Sequence, residues 1–193
     1  MKKYEMTDEI KVVCGVTLHR IKALKDFDGV EKGELGGWIE KEENLSQEGN
    51  AWVCDNAYVT GDAQVYGNAW VLGNALVRNN AQIYGNALVR DNAQVYDNAQ
   101  VCGDAQVCDN VRVSGNAWVS GNAWVSGNAQ IYGNALVSGN AQVCDNVQVC
   151  DNAKVYGNAQ VCEDTWVWGN GRVYGNALIY GGVVVCDYVH VMR

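Results

Sequence analysis

Eight cysteines and two histidines are the side chains in this sequence best suited to covalent or metal chemistry. The cysteines are Cys14, Cys54, Cys102, Cys108, Cys144, Cys150, Cys162 and Cys186, and no two of them form a Cys-x-x-Cys pair. No Cys/His cluster has the spacing of a zinc site. His19 lies before the region that dominates the chain and His190 lies near its end. A general base needs a pocket around it, and neither histidine has neighbours in sequence that suggest one. A second regularity stands out. The interval from Cys144 to Cys162 is also the interval, single or doubled, between successive members of the set Asp55, Asp91, Asp109, Asp145 and Glu163. If that interval is a structural period, the acids form a ridge that shares a cation, faces a basic partner or simply serves turn chemistry.

The elements that position these residues follow from a shorter period. From Val53 to Val191 an aliphatic residue recurs every six positions in 24 successive hexads, always Val except at Ile83, Ile131 and Ile179. Two residues earlier stands a small residue, usually Ala, preceded by Asn or Asp and, before that, by Gly or Asp. The unit reads Gly/Asp-Asn-Ala-x-Val-x. Alternation along x-Val-x turns Val inward and its neighbours outward. Gly-Asn makes a corner because both residues tolerate positive φ. Three such sides, one hexad each, close a triangular coil, and three hexads are the interval from Cys144 to Cys162. Twenty-four hexads give eight coils, and about 4.8 Å per coil makes a rod roughly 38 Å long.

This pattern resembles the left-handed parallel β-helix of the hexapeptide-repeat superfamily, whose fold is shared by trimeric acyltransferases. The resemblance implies an all-β triangular solenoid over residues 50–193 and leaves residues 1–49 as an N-terminal capping segment. That segment, through Asp26-Phe27-Asp28-Gly29-Val30, Leu35-Gly36-Gly37-Trp38-Ile39 and Asn44-Leu45-Ser46, resembles uncharacterised bacterial and prophage β-helix proteins. Acyltransferases of the superfamily use a catalytic histidine and loops that leave the coils. Here the six-residue phase is never interrupted, so no enzyme is expected. The similar γ-type carbonic anhydrases bind zinc through three histidines, more than this chain has. No metal or other cofactor is expected.

With three sides defined, the outward columns can be written. Side A starts at Val53, side B at Val59 and side C at Val65, each stepping by three hexads. Trp52, Trp70, Leu72, Leu88 and Trp124 project from side A, and Trp166 and Trp168 from side B. Side C carries Trp118 and a set of tyrosines, among them Tyr66, Tyr84, Tyr156 and Tyr174. Clustered exposed aromatics mark an interface, although residues 1–49 could also cover Trp52 and Trp70. The cysteines read as free thiols filling space where Ser126 and Tyr180 stand elsewhere, with Cys144 and Cys162 within disulfide reach. In the last coil Gly182 and Tyr188 replace the corner Asn, and Val183 and Val189 replace the small inner residue. That end, around Val185 and Val191, is expected to meet another copy of the chain.

Composition narrows the partners. Basic residues number 8 and acidic ones 11 in residues 1–49, against 6 and 11 in the remainder, for a net charge of −8. Direct nucleic-acid binding is not expected from such a surface. Neither a bilayer-length apolar run nor a signal-peptide core is evident, so no membrane association is expected and the expected location is cytoplasmic. The function expected is a non-enzymatic, self-associating β-helix (dimer or trimer) that binds a protein. The prophage resemblance implies a phage accessory role against a host factor. The alternatives are a binder sequestering a small ligand between subunits and a degenerate acyltransferase-like enzyme.

Overall fold

The computed structural model describes residues 2–187 and 189–192; the corner substitution at Tyr188 lies outside the described residues. From Trp52 to Met192 the chain forms 24 strands of two or three residues. They stack into three parallel sheets, one for each side of a triangle. Each strand inside the rod pairs with its equivalents in the coils before and after it, and the end strands pair on one side, so Val53 lies on Val71 and Trp52 on Trp70. The inward valines and the alanines two residues before them line a continuous bore and are almost all fully buried. Ala predominates there because little volume is left beside the corner, although Val111, Val147 and Thr165 are also accommodated fully buried.

The corners repeat one geometry. The first corner residue has positive φ, supplied by glycine at most corners and by Asp55, Asn79, Asp91, Asp97, Asp109, Asp145, Asp151 and Glu163 at eight. The Asn that follows donates its side-chain amide to the Asn one coil ahead, as in Asn56 to Asn74 and on to Asn146. One ladder has a gap. Asn86 donates to Asp104 at 2.8 Å, and the chain of amides resumes only with Asn122 to Asn140. A carboxylate has no N–H to pass on, so Asp104→Asn is expected to complete that ladder. Adding one net hydrogen bond should raise the midpoint of thermal unfolding by about 2–4 °C, read by circular dichroism.

Residues 2–49 form the cap, but the solenoid path begins within them. Strand β1 (Tyr4–Val13) and strand β2 (Val16–Ala23) make an antiparallel hairpin. Strand β3 (Leu35–Ile39) pairs antiparallel with β2 and parallel with Tyr58–Val59, so the cap continues side B. A parallel bridge from Leu45 to Val65 does the same on side C. The molecule therefore has about nine turns, the first lacking the hexad pattern. Asn44, buried at the turn after Lys41, accepts from the Lys41 amide and donates to the Gly61 and Ala63 carbonyls, which locks that first turn to the next.

Two titratable side chains are buried where the cap closes. The Lys3 ammonium donates to the Ala51 carbonyl at 2.8 Å, and the Tyr4 hydroxyl donates to the Leu45 carbonyl at 2.7 Å. Burial, with Lys25 nearby, lowers Lys3 from 10.5 to about 8. Burial, with Glu42 and Glu43, raises Tyr4 above its ordinary 10.0. Between pH 8 and 10.5 the unfolded chain holds the extra Lys3 proton, so cap stability is expected to rise with pH. Above pH 10 the unfolded tyrosine ionises first, and stability is expected to fall again. Urea midpoints at pH 7 to 11 test this, and Lys3→Met should flatten the rising limb.

Candidate binding surface

The outward columns separate into residues the molecule covers and residues it leaves open. Trp52 is fully buried beneath the cap, with the Tyr4 ring edge-on at 6.3 Å and the Phe27 ring edge-on at 5.3 Å. It is an internal anchor of the cap, a correction to its reading as interface. Trp70 is half-buried against the same core, and Leu72 and Leu88 are half-buried in the following coils. Val185 is also corrected, since it points into the bore and is 1% exposed, while Val191 is half-buried. The open residues are Trp118, Trp124, Trp166 and Trp168, each 38–48% exposed.

Trp118 and Trp124 sit on sides C and A of adjoining coils, flanking the corner formed by Ser120, Gly121 and Asn122. Each indole N–H donates to a cysteine sulfur of the preceding coil, Trp118 to Cys102 at 3.0 Å and Trp124 to Cys108 at 3.3 Å. The paired spacing of Cys and Trp, 16 residues apart in both cases, is the signal that sequence reading passed over. The bond satisfies the indole nitrogen and anchors each ring while nearly half of the residue stays exposed. Rigid aromatic plates of this kind bind at low entropic cost. Ile10 and Val12 on the cap hairpin, and Leu178 and Tyr180 near the other end, add exposed apolar surface that the column argument also missed.

The acidic ridge has a structural role. The carboxylates of Asp55, Asp91, Asp109 and Asp145 each accept the backbone N–H of the corner residue one coil ahead, at 2.9–3.3 Å. Asp97 and Asp151 do so on side B. A corner N–H faces along the rod without a ladder partner, and the acid supplies the acceptor. This is the turn-chemistry reading, and Glu163 continues the column beyond them.

Cys102, Cys108 and Cys150 are buried, and two other cysteines are joined. Cys144 and Cys162 form a disulfide between successive coils, with Cα atoms 4.7 Å apart. This corrects the expectation of a free-thiol pair; identical columns one coil apart place two Cα atoms at disulfide distance by construction. Burial and neighbouring Asp55 push the Cys54 thiol up to about 12. Burial likewise raises Cys150 and Cys108, in the latter only partly offset by the Trp124 donor. Such thiols are poor nucleophiles at neutral pH. Asp91, Cys108 and Asp109 have donor atoms within 4.8 Å of one another, but Asp91 is engaged by Arg90 and by the Asp109 amide. Of the histidines, His19 has Nδ1 3.3 Å from the Thr7 carbonyl, and His190 lies edge-on to the Tyr174 ring.

Comparison with known proteins places this geometry in a family. A model described as the YdcK beta solenoid repeat matches residues 63–79, 81–97, 105–121, 129–145, 147–163 and 172–187, together just over half of the chain. The chain belongs to the YdcK beta solenoid repeat family. It is also similar to the "Uncharacterized acetyltransferase YdcK" of Escherichia coli (strain K12), 38% identical over 63 residues. That alignment covers 28% of this chain and 19% of the relative, so the chain spans about a fifth of that protein.

Proposed function

We propose that this member of the YdcK beta solenoid repeat family acts by binding, presenting a rigid corner to a protein partner. The observation that carries the reading is the Trp118/Trp124 pair, two half-exposed indoles locked by buried sulfurs on adjoining faces. A net charge of −8 favours a partner with a basic surface around an apolar centre over nucleic acid. The raised thiols and the placement of both histidines support binding over catalysis. The acetyltransferase name belongs to a relative that this chain matches over a small part of its length. A host factor met by a phage-encoded solenoid is one setting for such a partner. Self-association is part of the same reading, supported by exposed Leu178, Tyr180 and Val184 on the last coils.

The test is affinity capture with the full chain beside its Trp118→Ala/Trp124→Ala variant, with sedimentation velocity on both. One stoichiometric partner retained by the full chain and lost by the variant supports the proposal. A partner retained equally by both, or acetyl transfer from acetyl-CoA to an acceptor, overturns it. A single monomeric boundary at micromolar concentration removes the self-association component.

A further inference from the structure

Side chains at equivalent positions of successive coils stack as parallel plates. Tyr66 and Tyr84 have ring centroids 5.0 Å apart with planes at 1°, and Tyr156 and Tyr174 are 5.1 Å apart at 4°. On side B the position following the inward Val runs Arg78, Tyr96, Ser114, Tyr132, Cys150 and Trp168. Arg78 lays its guanidinium 4.7 Å over the Tyr96 ring, continuing the same stacking with a planar cation. Ser114 and Cys150 are too short to fill their places, so the column has missing rungs.

The gap at Cys150 is the better formed of the two. Tyr132 and Trp168 lie two coil steps apart, about 10 Å, twice the separation of a stacked tyrosine pair. A single ring inserted between them would meet each neighbour at the distance the tyrosine pairs already show. The structure has an open notch of about 320 Å³ there, lined by Tyr132, Cys150, Asp151, Trp166 and Trp168. Cys150 is its buried floor, and Trp166, two residues before Trp168, forms a further wall. At the corner, Asp151 accepts the Gly169 amide through Oδ2 at 3.2 Å, and Oδ1 has no partner among the described residues. A carboxylate only accepts, so the edge of an occupant must donate. No basic side chain lines the notch to receive a phosphate. At Ser114 the same corner position is Gly115, which offers no acceptor side chain.

The geometry points to a binding slot for one planar nitrogen heterocycle of nucleobase size, neutral or cationic, stacked between Tyr132 and Trp168 with an N–H edge on Asp151. This slot does not depend on the partner proposed above, which rests on Trp118 and Trp124.

Guanosine is the probe, because it pairs a flat ring with an N–H edge and carries no phosphate. It is titrated into the full chain by calorimetry, with its ring-proton saturation transfer as a second readout. Cys150→Tyr fills the rung with the residue that stacks naturally at Tyr66 and Tyr84, and should weaken binding by about tenfold or more. Ser114→Tyr fills the other gap by the same change and should leave binding unaltered. Asp151→Asn keeps a residue type that already stands at positive φ at Asn79, so the corner holds, and should weaken binding several-fold. Binding that is lost in Cys150→Tyr and kept in Ser114→Tyr supports the slot. No guanosine binding at millimolar concentration, equal loss in both tyrosine variants, or guanosine monophosphate binding as tightly as guanosine overturns it.

Discussion

Replacing Trp52 with alanine is expected to cost about 3–5 kcal/mol and to release the cap from the solenoid. The indole fills the space between β1, the Phe27 turn and the first full coil, with no surface exposed. Gly36 backs it so closely that a Cβ there would stand 2.7 Å from the indole and 2.6 Å from the Val53 carbonyl. Gly36 has no side chain to move into the hole. The indole nitrogen, however, is buried without a hydrogen-bond partner among the described residues. Trp52→Phe therefore removes an unsatisfied donor along with part of the ring, and is expected to cost much less than Trp52→Ala. Chemical denaturation of both variants, with proteolysis of residues 2–49 as a local probe, checks the pair. Equal destabilisation by Phe and Ala would show that ring volume alone matters.

Val113→Asp is the second large effect, expected to cost about 3–5 kcal/mol or more. Val113 lies in the middle of the bore between Val95 and Ile131, fully buried, and the facing residues are Ala and Val. A carboxylate there meets no donor and no counter-charge. Each coil touches only its neighbours, so the damage should be local, dividing one cooperative rod into two stacks. Two unfolding transitions in place of one, with new cleavage close to Val113 itself, are the expected observation. Val113→Ile serves as control, since Ile131 already occupies the next rung, and should cost less than about 1.5 kcal/mol.

The solenoid was legible in the sequence because its fold is its repeat. Once Val53 and Val71 are in phase, corner, side and bore follow from alternation and from the volume of Ala. The acid column was legible too, down to its role at the corners. What escaped was anything set by contacts between columns. Trp52 reads the same as Trp124 by position, and only the cap, which carries no repeat, separates a buried ring from an exposed one. The extra first turn escaped for the same reason, since Ile39 and Leu45 pair in register with Val59 and Val65 at a spacing longer than the coil period. The indole-to-sulfur bonds run along a diagonal between columns, which a search along single columns does not sample.

The asparagine ladders also give the rod a sense of direction. In each amide the oxygen faces the coil before and the nitrogen the coil after, as in Asn128 to Asn146. The small dipoles at the corners therefore add along the axis, with a negative pole toward the cap and a positive pole toward the far end. The ends are dressed accordingly. At the cap, Lys41 pairs with Asp62 beneath its column, and at the far end Asp164 and Asp187 receive the last amides of theirs. The arrangement parallels the charge preferences of α-helix termini, reached here through side chains. A solution of these rods should accordingly align in an electric field along their length, and Asp104→Asn, by joining two shorter ladders, should strengthen that response.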